Sequence, residues 1–186
     1  MKRQRGTGLE TRHVFLDTQV YHSLKHNPAN PAFKQLMSHV GERRLALHIC
    51  DITLLEVKRQ LHETVASRAR ELALVEKDLK RWRAAAPRVS LPGLVHLNVE
   101  PLSKALFDEF CGAVLVTCRA TMHRALDIHA KEVFDTYFGR YPPFDREGSK
   151  EFPDGFVLKA LEKWSEAETT KIYVVSADRA VARAAE

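Results

Sequence analysis

Four acidic residues stand at junctions where a strand or a loop leads into a helix. Asp17 directly follows an apolar run of strand length, and Asp178 follows another after Ser176 and Ala177. Glu56 and Asp154 lie in the first turns of predicted helices. Four carboxylates in one pocket would repel each other and raise their pKa values unless a divalent cation neutralised them. Oxygen ligands without a neighbouring Cys or His favour Mg²⁺ or Mn²⁺ over zinc.

Each of these acids also has a plain structural explanation. Asp17 and Asp178 could be helix N-caps, because Asp is a preferred residue at that position. Glu56 could be an exposed helical side chain, and Asp154 after a proline is an ordinary first-turn acid. These structural explanations suffice for each acid singly, whereas the shared position of all four at one edge favours a site.

The elements that must position these acids alternate between strands and helices. The predicted strands are 13–16, 45–50 and 172–175, which are short, nearly continuous apolar runs. Strands separated by helices imply an α/β fold with a mostly parallel sheet, whose ligands bind outside the carboxyl ends of the strands. Asp17, Glu56 and Asp178 should therefore emerge at one edge. Asp154 joins them if its helix begins there.

The middle of the sequence is helical by composition. Residues 53–86 contain neither Gly nor Pro and predict one long helix or two nearly continuous ones. Residues 102–137 predict at least two further helices, so that 57–140 forms a helical insertion on the sheet. Shorter helices are expected at 31–40 and 153–166.

Composition limits the class of protein. The 186 residues, 45% hydrophobic and 28% charged, predict one folded domain without a membrane span or a secretory signal. Three cysteines without a CxxC pair indicate a reducing compartment, hence the cytoplasm, and no structural zinc. P-loop, GxGxxG and GxSxG motifs are absent, which excludes the common nucleotide-cofactor and serine-hydrolase classes.

The net charge of +5 is unevenly distributed. Residues 57–88 carry nine Lys or Arg and four acids, whereas residues 145–170 carry four and seven. This split suggests a polyanion held beside a carboxylate site, with phosphate contacts from one basic cluster. The cluster consists of Lys77, Lys80, Arg81 and Arg83. The alternative is that these side chains only solvate a long helix.

Four segments together resemble the acidic motifs of the PIN-domain nucleases. They are VFLDT (14–18), DITLLEV (51–57), KEFPDGFVLKAL (150–161) and VVSAD (174–178). The Pro142-Pro143-Phe144 loop before Lys-x-Phe-Pro-Asp is similar to a bacterial PIN-like branch. The resemblance covers about 13–60 and 140–182. It implies a Rossmann-like PIN fold and a metal-dependent endonuclease, most often acting on RNA, whose products carry a 5′-phosphate and a 3′-hydroxyl.

Residue roles follow from the same resemblance. Asp17, Glu56, Asp154 and Asp178 become the catalytic, metal-binding acids, holding Mg²⁺ or Mn²⁺. Thr18 and Ser176 become hydroxyls that orient carboxylates, and Lys150 becomes a phosphate contact, with a solvated loop lysine as its alternative. The roles of Asp145 and Glu151 stay open. A bound metal would activate water for attack on a phosphodiester.

The expected organisation is a basic tail over 1–12 and a single PIN-like domain over 13–186. The sequence ends eight residues after Asp178, where the family commonly continues to a further edge strand, so this edge is either truncated or short. The expected partner is single-stranded RNA, with a homodimer or an additional C-terminal domain left open. Two alternatives remain: a nucleic-acid-binding or protein-interaction module without catalysis, and a structure-specific DNA nuclease.

Overall fold

A parallel sheet of four short strands organises the chain. The computed structural model describes residues 9–91, 93, 96–145 and 151–185. The strands are β1 (His13–Leu16), β2 (Ala46–Cys50), β3 (Thr121–His123) and β4 (Tyr173–Val175). They pair in the order β3-β2-β1-β4, and every pairing is parallel. The predicted α/β fold with a mostly parallel sheet is confirmed.

Strand β3 lies within the stretch for which the sequence predicted only helices. Its sequence is Thr-Met-His, and both Thr121 and Met122 are exposed, with only His123 buried. Such a short edge strand offers no apolar run of strand length, which is the signal that identified the other three. The predicted helical insertion therefore contributes an edge strand to the sheet as well as helices.

Seven α-helices surround the sheet in the described residues. They are α1 (Thr18–Ser23), α2 (Pro31–Gly41), α3 (Asp51–Ala85), α4 (Val99–Cys111), α5 (Ala130–Phe138), α6 (Phe152–Ala167) and α7 (Arg179–Ala184). A π-helical segment, Gly112–Thr117, continues α4, and a 3₁₀ turn, Ala125–Asp127, follows β3. Helix α3 is about 52 Å long, consistent with the predicted stretch without Gly or Pro. None of the described helices combines the length and apolarity needed to cross a membrane.

The sheet has a hydrophobic core on each face, because alternate strand residues point in opposite directions. Val14 and Leu16 of β1 pack with buried residues of α1 to α4, among them Tyr21 and Phe110. Phe15 packs on the other face with α6. Helix α6, which carries Asp154, is therefore held against the opposite face of the sheet from α3, which carries Glu56.

Candidate active site

The carboxyl ends of β1 and β4 bring two of the predicted acids together. The backbone N–H of Asp17 donates to the carbonyl oxygen of Val175 at 3.0 Å, so the pairing of the two strands extends to Asp17. Ser176 directly follows β4, and Asp178 comes two residues later. The carboxyl ends of β1 and β4 therefore lie side by side at one edge of the sheet, as the sequence predicted for these two strands.

Ser176 links the two acids at this edge. Its Oγ donates to Oδ2 of Asp17 at 2.6 Å, and the same Oγ accepts the backbone N–H of Asp178 at 2.9 Å. With its proton committed to Asp17, the Ser176 hydroxyl restricts the orientation of that carboxylate. The resemblance implied that Ser176 orients a carboxylate, and this role stays a prediction.

Thr18 makes an equivalent contact with the acid of α3. Thr18 is the first residue of α1 and is buried, and its Oγ1 donates to Oε2 of Glu56 at 2.5 Å. Glu56 lies in the second turn of α3, which begins where β2 ends. The hydroxyl thus holds a carboxylate that arrives from a different strand-to-helix junction.

Asp154 completes one side of a small cavity at this edge. It is the third residue of α6, after Pro153, which suits the first turn of a helix because its missing N–H would have no helical partner. Asp17, Thr18, Glu56 and Asp154 all line the cavity. The other lining residues are Phe15, Thr53, Val157, Leu158 and Val181. Carboxylates are therefore placed against largely apolar walls.

These surroundings raise the pKa of Asp154 to about 7. Burial is the largest cause, because the charged form loses hydration, and the negative charges of Asp17 and Glu56 add to it. Glu151 and Asp178 contribute in the same direction. The repulsion between carboxylates that the sequence predicted therefore acts on Asp154.

Asp17 and Asp178 differ in whether their side chains cap the helices that follow them. Asp17 is at the N-cap position of α1, but its side chain makes no capping hydrogen bond. Asp178 does cap α7, since its Oδ1 accepts the backbone N–H of Ala180 at 2.6 Å. Asp178 does not line the cavity and acts on Asp154 through its charge. Helix capping is therefore excluded as the explanation for Asp17, whereas Asp178 does act as a cap.

The residue types of the site favour binding of a metal ion, but the distances between their side chains do not. Carboxylate and hydroxyl oxygens around Asp17, Glu56 and Asp154 are the donors that Mg²⁺ and Mn²⁺ prefer. Yet no three or more His, Cys, Asp or Glu side chains in the described part of the chain are grouped closely enough to hold a metal ion. The residue types fit a divalent cation, and binding one would require these side chains to draw together.

Glu151 is an acid near Asp154 whose role the sequence left open. It precedes α6, and its Oε2 is buried without a hydrogen-bond partner among the described residues. Its charge helps to raise the pKa of Asp154, three residues later. The one available signal was that spacing, because residues three apart at a helix start lie on the same side.

The predicted phosphate contacts lie away from the acids or outside the described residues. Lys150 falls in the stretch 146–150, which the structure does not describe. Lys77 and Arg83 follow Glu56 on α3 by 21 and 27 residues, which is roughly 30 to 40 Å along the helix axis. Lys80 pairs with Glu76 at 2.7 Å and Arg81 pairs with Asp78 at 3.3 Å, as expected for the alternative of a solvated helix.

Comparison with known proteins agrees with this architecture. A sequence model of the PIN domain matches residues 14–180, which includes β2 to β4, all of β1 except His13, and all four candidate acids. No protein with a curated description and no solved structure matches the chain. Because the match covers nearly the whole chain, the protein belongs to the PIN-domain family.

Proposed function

We propose that this PIN domain is a metal-dependent endonuclease that hydrolyses phosphodiester bonds, with single-stranded RNA as its substrate. The family suggests a nuclease. The observation that carries the proposal is the shared cavity of Asp17, Glu56 and Asp154, in which burial and then the neighbouring negative charges raise the pKa of Asp154. Asp17, Glu56 and Asp154 are each half-buried. Holding three such acids together is costly in a purely structural role, so the arrangement favours cation binding.

The chain's own residues would bind, orient and desolvate. Asp17, Glu56 and Asp154 would hold Mg²⁺ or Mn²⁺, with Asp178 adding negative charge from the neighbouring helix start. When bound, such an ion activates water and neutralises charge on the attacked phosphate. Thr18 and Ser176 orient Glu56 and Asp17 through the hydrogen bonds described above. Phe15, Val157 and Val181 limit hydration of the carboxylates, which strengthens their attraction for a cation.

The similarity to the bacterial PIN-like branch forms part of the proposal. It rests on Pro142-Pro143-Phe144 and on Phe152-Pro153-Asp154, which meet in the structure where the rings of Phe144 and Phe152 lie 5.3 Å apart. The loop motif and the acidic motif therefore support each other physically. This contact gives a reason for both motifs to occur in one sequence.

The test is a cleavage assay with single-stranded and duplex RNA and DNA, in Mg²⁺ or Mn²⁺. We expect wild-type protein to cleave single-stranded RNA, and Asp17→Asn and Glu56→Gln to lose at least roughly a hundredfold in rate. Glu63→Gln is the matched control, because Glu63 is an exposed residue of the same helix that pairs with Arg59. Its cleavage rate should equal that of wild type.

Other results of the cleavage assay would favour a different substrate, a different function or a different site. Cleavage of DNA alone would replace the RNA substrate by the DNA alternative. Binding of nucleic acid without cleavage in either metal would favour the binding module and contradict an enzyme. Equal cleavage by Asp17→Asn, Glu56→Gln and wild type would place the chemistry elsewhere. Circular dichroism of each variant establishes that a lost rate reflects the site and not the fold.

A further inference from the structure

Three histidines form a continuous chain of hydrogen bonds across the sheet. His13 Nδ1 lies 2.8 Å from Nε2 of His48, and His48 Nδ1 lies 2.7 Å from Nε2 of His123. The three rings come from β1, β2 and β3. Phe15 pairs with His48, and His48 pairs with Thr121, so each histidine is two residues nearer the carboxyl edge than the one before. We call His13, His48 and His123 the histidine chain.

The histidine chain is covered by Trp164 of α6. The ring centroid of Trp164 lies 4.9 Å from that of His13, 4.3 Å from that of His48 and 5.7 Å from that of His123. His48 is fully buried and His123 is 7% exposed. Trp164 thus fixes the C-terminal half of α6 on a buried polar surface, while the N-terminal half of the same helix carries Asp154.

The two hydrogen bonds between the rings limit how many protons the histidine chain can hold. Each bond needs one hydrogen between two nitrogens, and three neutral imidazoles supply this in either direction. One added proton keeps both bonds intact but places a charge in the buried layer. A second added proton forces two N–H groups to face each other at one of the bonds. The arrangement therefore suits the uncharged state.

The charged groups around the histidine chain do not compensate for a buried cation. Burial lowers the pKa of His48 to about 3, and positive charge on His123 or His13 would lower it further. At His13, burial is again the largest cause of a lowered pKa, with Arg12 acting in the same direction and Glu168, beyond the end of α6, opposing it. Burial alone lowers the pKa of His123. Trp164, the partner from α6, carries no charge.

We propose that the contacts between the histidine chain and Trp164 hold α6, and with it Asp154, against the sheet only while the three imidazole rings are uncharged. We call this proton-sensitive set of contacts the fastening. Acid would release the C-terminal half of α6 before the rest of the fold is lost. Trp164 and the histidines are positioning residues in this account. The fastening stands independently of the proposed nuclease function, and only its effect on cleavage rests on that function.

The test uses Trp164 as its own reporter. The chain has two tryptophans, so Trp82→Phe leaves Trp164 as the only one. We expect its emission to shift to longer wavelength as the pH falls from 6.5 towards 3, because the indole loses its buried contacts, while the helical circular dichroism signal persists. In the same background, His48→Gln should move the midpoint of the shift down by about one pH unit, since it removes a titrating ring.

Further variants distinguish the effect of His48 from a general effect of replacing a histidine. His22→Gln alters an exposed histidine of α1 and should leave the midpoint unchanged. If His48→Gln does not fold, His13→Gln at the partly exposed end replaces it, with the same expected direction. An equal midpoint in wild type and variant, or no change in Trp164 emission before global unfolding, would overturn the fastening. So would an NMR titration showing a His48 pKa at or above its ordinary value, because attraction to the Trp164 ring would then outweigh burial.

The cleavage assay separates the fastening from the proposed function. Wild-type cleavage should fall over the same pH range as the Trp164 shift, and His48→Gln should move both together. Protein that cleaves nothing at any pH would contradict the proposed function, while the fluorescence would still decide the fastening. A fall in cleavage without a Trp164 shift would assign the pH dependence to the acids themselves and contradict the effect proposed for α6.

Discussion

Gly155 lies directly against the ring of Phe144. A Cβ added at Gly155 would be only 2.7 Å from Cζ of Phe144 and 3.0 Å from Cγ1 of Val133. Gly155 follows Asp154 in α6, and the ring of Phe144 is buried between α6 and α5. The absence of a side chain at this one position therefore sets how closely the first turn of α6 approaches its neighbours.

Gly155→Ala should displace either Phe144 or the start of α6. We expect a loss of about 1 to 3 kcal/mol in the free energy of unfolding, because the buried ring has little freedom to move aside. Weaker binding of Mn²⁺ should accompany the loss, because Asp154 moves with the helix. Urea denaturation and calorimetric titration of Mn²⁺ measure the two effects.

Gly41→Ala is the matched control for this substitution. A Cβ at Gly41, the last residue of α2, meets nothing within 4 Å. Its stability should stay equal or rise by about 0.4 to 1 kcal/mol, since alanine restricts the unfolded chain. Equal stabilities of Gly155→Ala and wild type would contradict the close packing at Phe144.

Ser176→Ala should weaken divalent-metal binding while leaving the fold intact. The variant removes the hydroxyl that donates to Asp17 and leaves a backbone N–H at Asp178 without its acceptor. We expect Mn²⁺ affinity to fall roughly 10-fold to 100-fold, the usual effect of losing a group that orients a ligand. Ser23→Ala, which removes an exposed hydroxyl bonded to the carbonyl of Val20, should have no effect. If Ser176→Ala binds Mn²⁺ as tightly as wild type, Ser176 only stabilises the chain at the end of β4 and does not orient a metal ligand.

The stability of the metal-free protein should depend on the charge of Asp154. Its pKa in the folded protein, about 7, is above the ordinary value of 3.8, so its unfavourable charge is absent at low pH. Stability is therefore lost progressively as the pH rises from 3.8 through about 7, and the loss is complete above that pH. Asp154→Asn should therefore be more stable than wild type by roughly 2 to 4 kcal/mol at pH 8 in EDTA, and by much less at pH 4. Thermal unfolding at both pH values checks this. An equal difference at both values would contradict the raised pKa.

Sequence reasoning located the acids because each follows a recognisable junction. Asp17 comes directly after an apolar strand, and Asp178 comes two residues beyond the end of another. Parallel strands end at one edge, which is enough to predict that the two acids meet. Asp154 required more, because whether α6 begins at that edge depends on how the helix packs over Phe15 and Phe144. The unusual contact of Gly155 with Phe144 decides this, and no local pattern reports it.

The histidine chain and strand β3 lay beyond what the sequence could predict. His13 and His48 stand in apolar strands, which signals buried imidazoles but does not identify their partners. His48 meets His123 only because β3 pairs with β2, and β3 itself has too few apolar residues to be recognised. Contacts that depend on strand order and register across 75 residues of sequence are set by tertiary packing.

The basic cluster on α3 gives the last prediction, because its four cations differ in what surrounds them. Lys80 and Arg81 already pair with acids of their own helix, whereas Lys77 and Arg83 are exposed and make no ion pair among the described residues. Cations without a pairing acid are the better phosphate contacts, since no existing interaction must be broken. If α3 binds the nucleic acid, its unpaired cations should contribute most.

Two double variants separate a binding surface from a solvated helix face. Lys77→Ala with Arg83→Ala should weaken binding of single-stranded RNA and lower the salt dependence of binding by up to about 1.4, since each single-strand phosphate contact contributes about 0.7 to the slope. Lys80→Ala with Arg81→Ala should lower it less. Fluorescence anisotropy over a range of salt concentrations measures both, and Mn²⁺ affinity should stay constant because the cluster lies roughly 30 to 40 Å from Glu56. Equal slopes in both variants and wild type would show that the RNA follows another path to the acids.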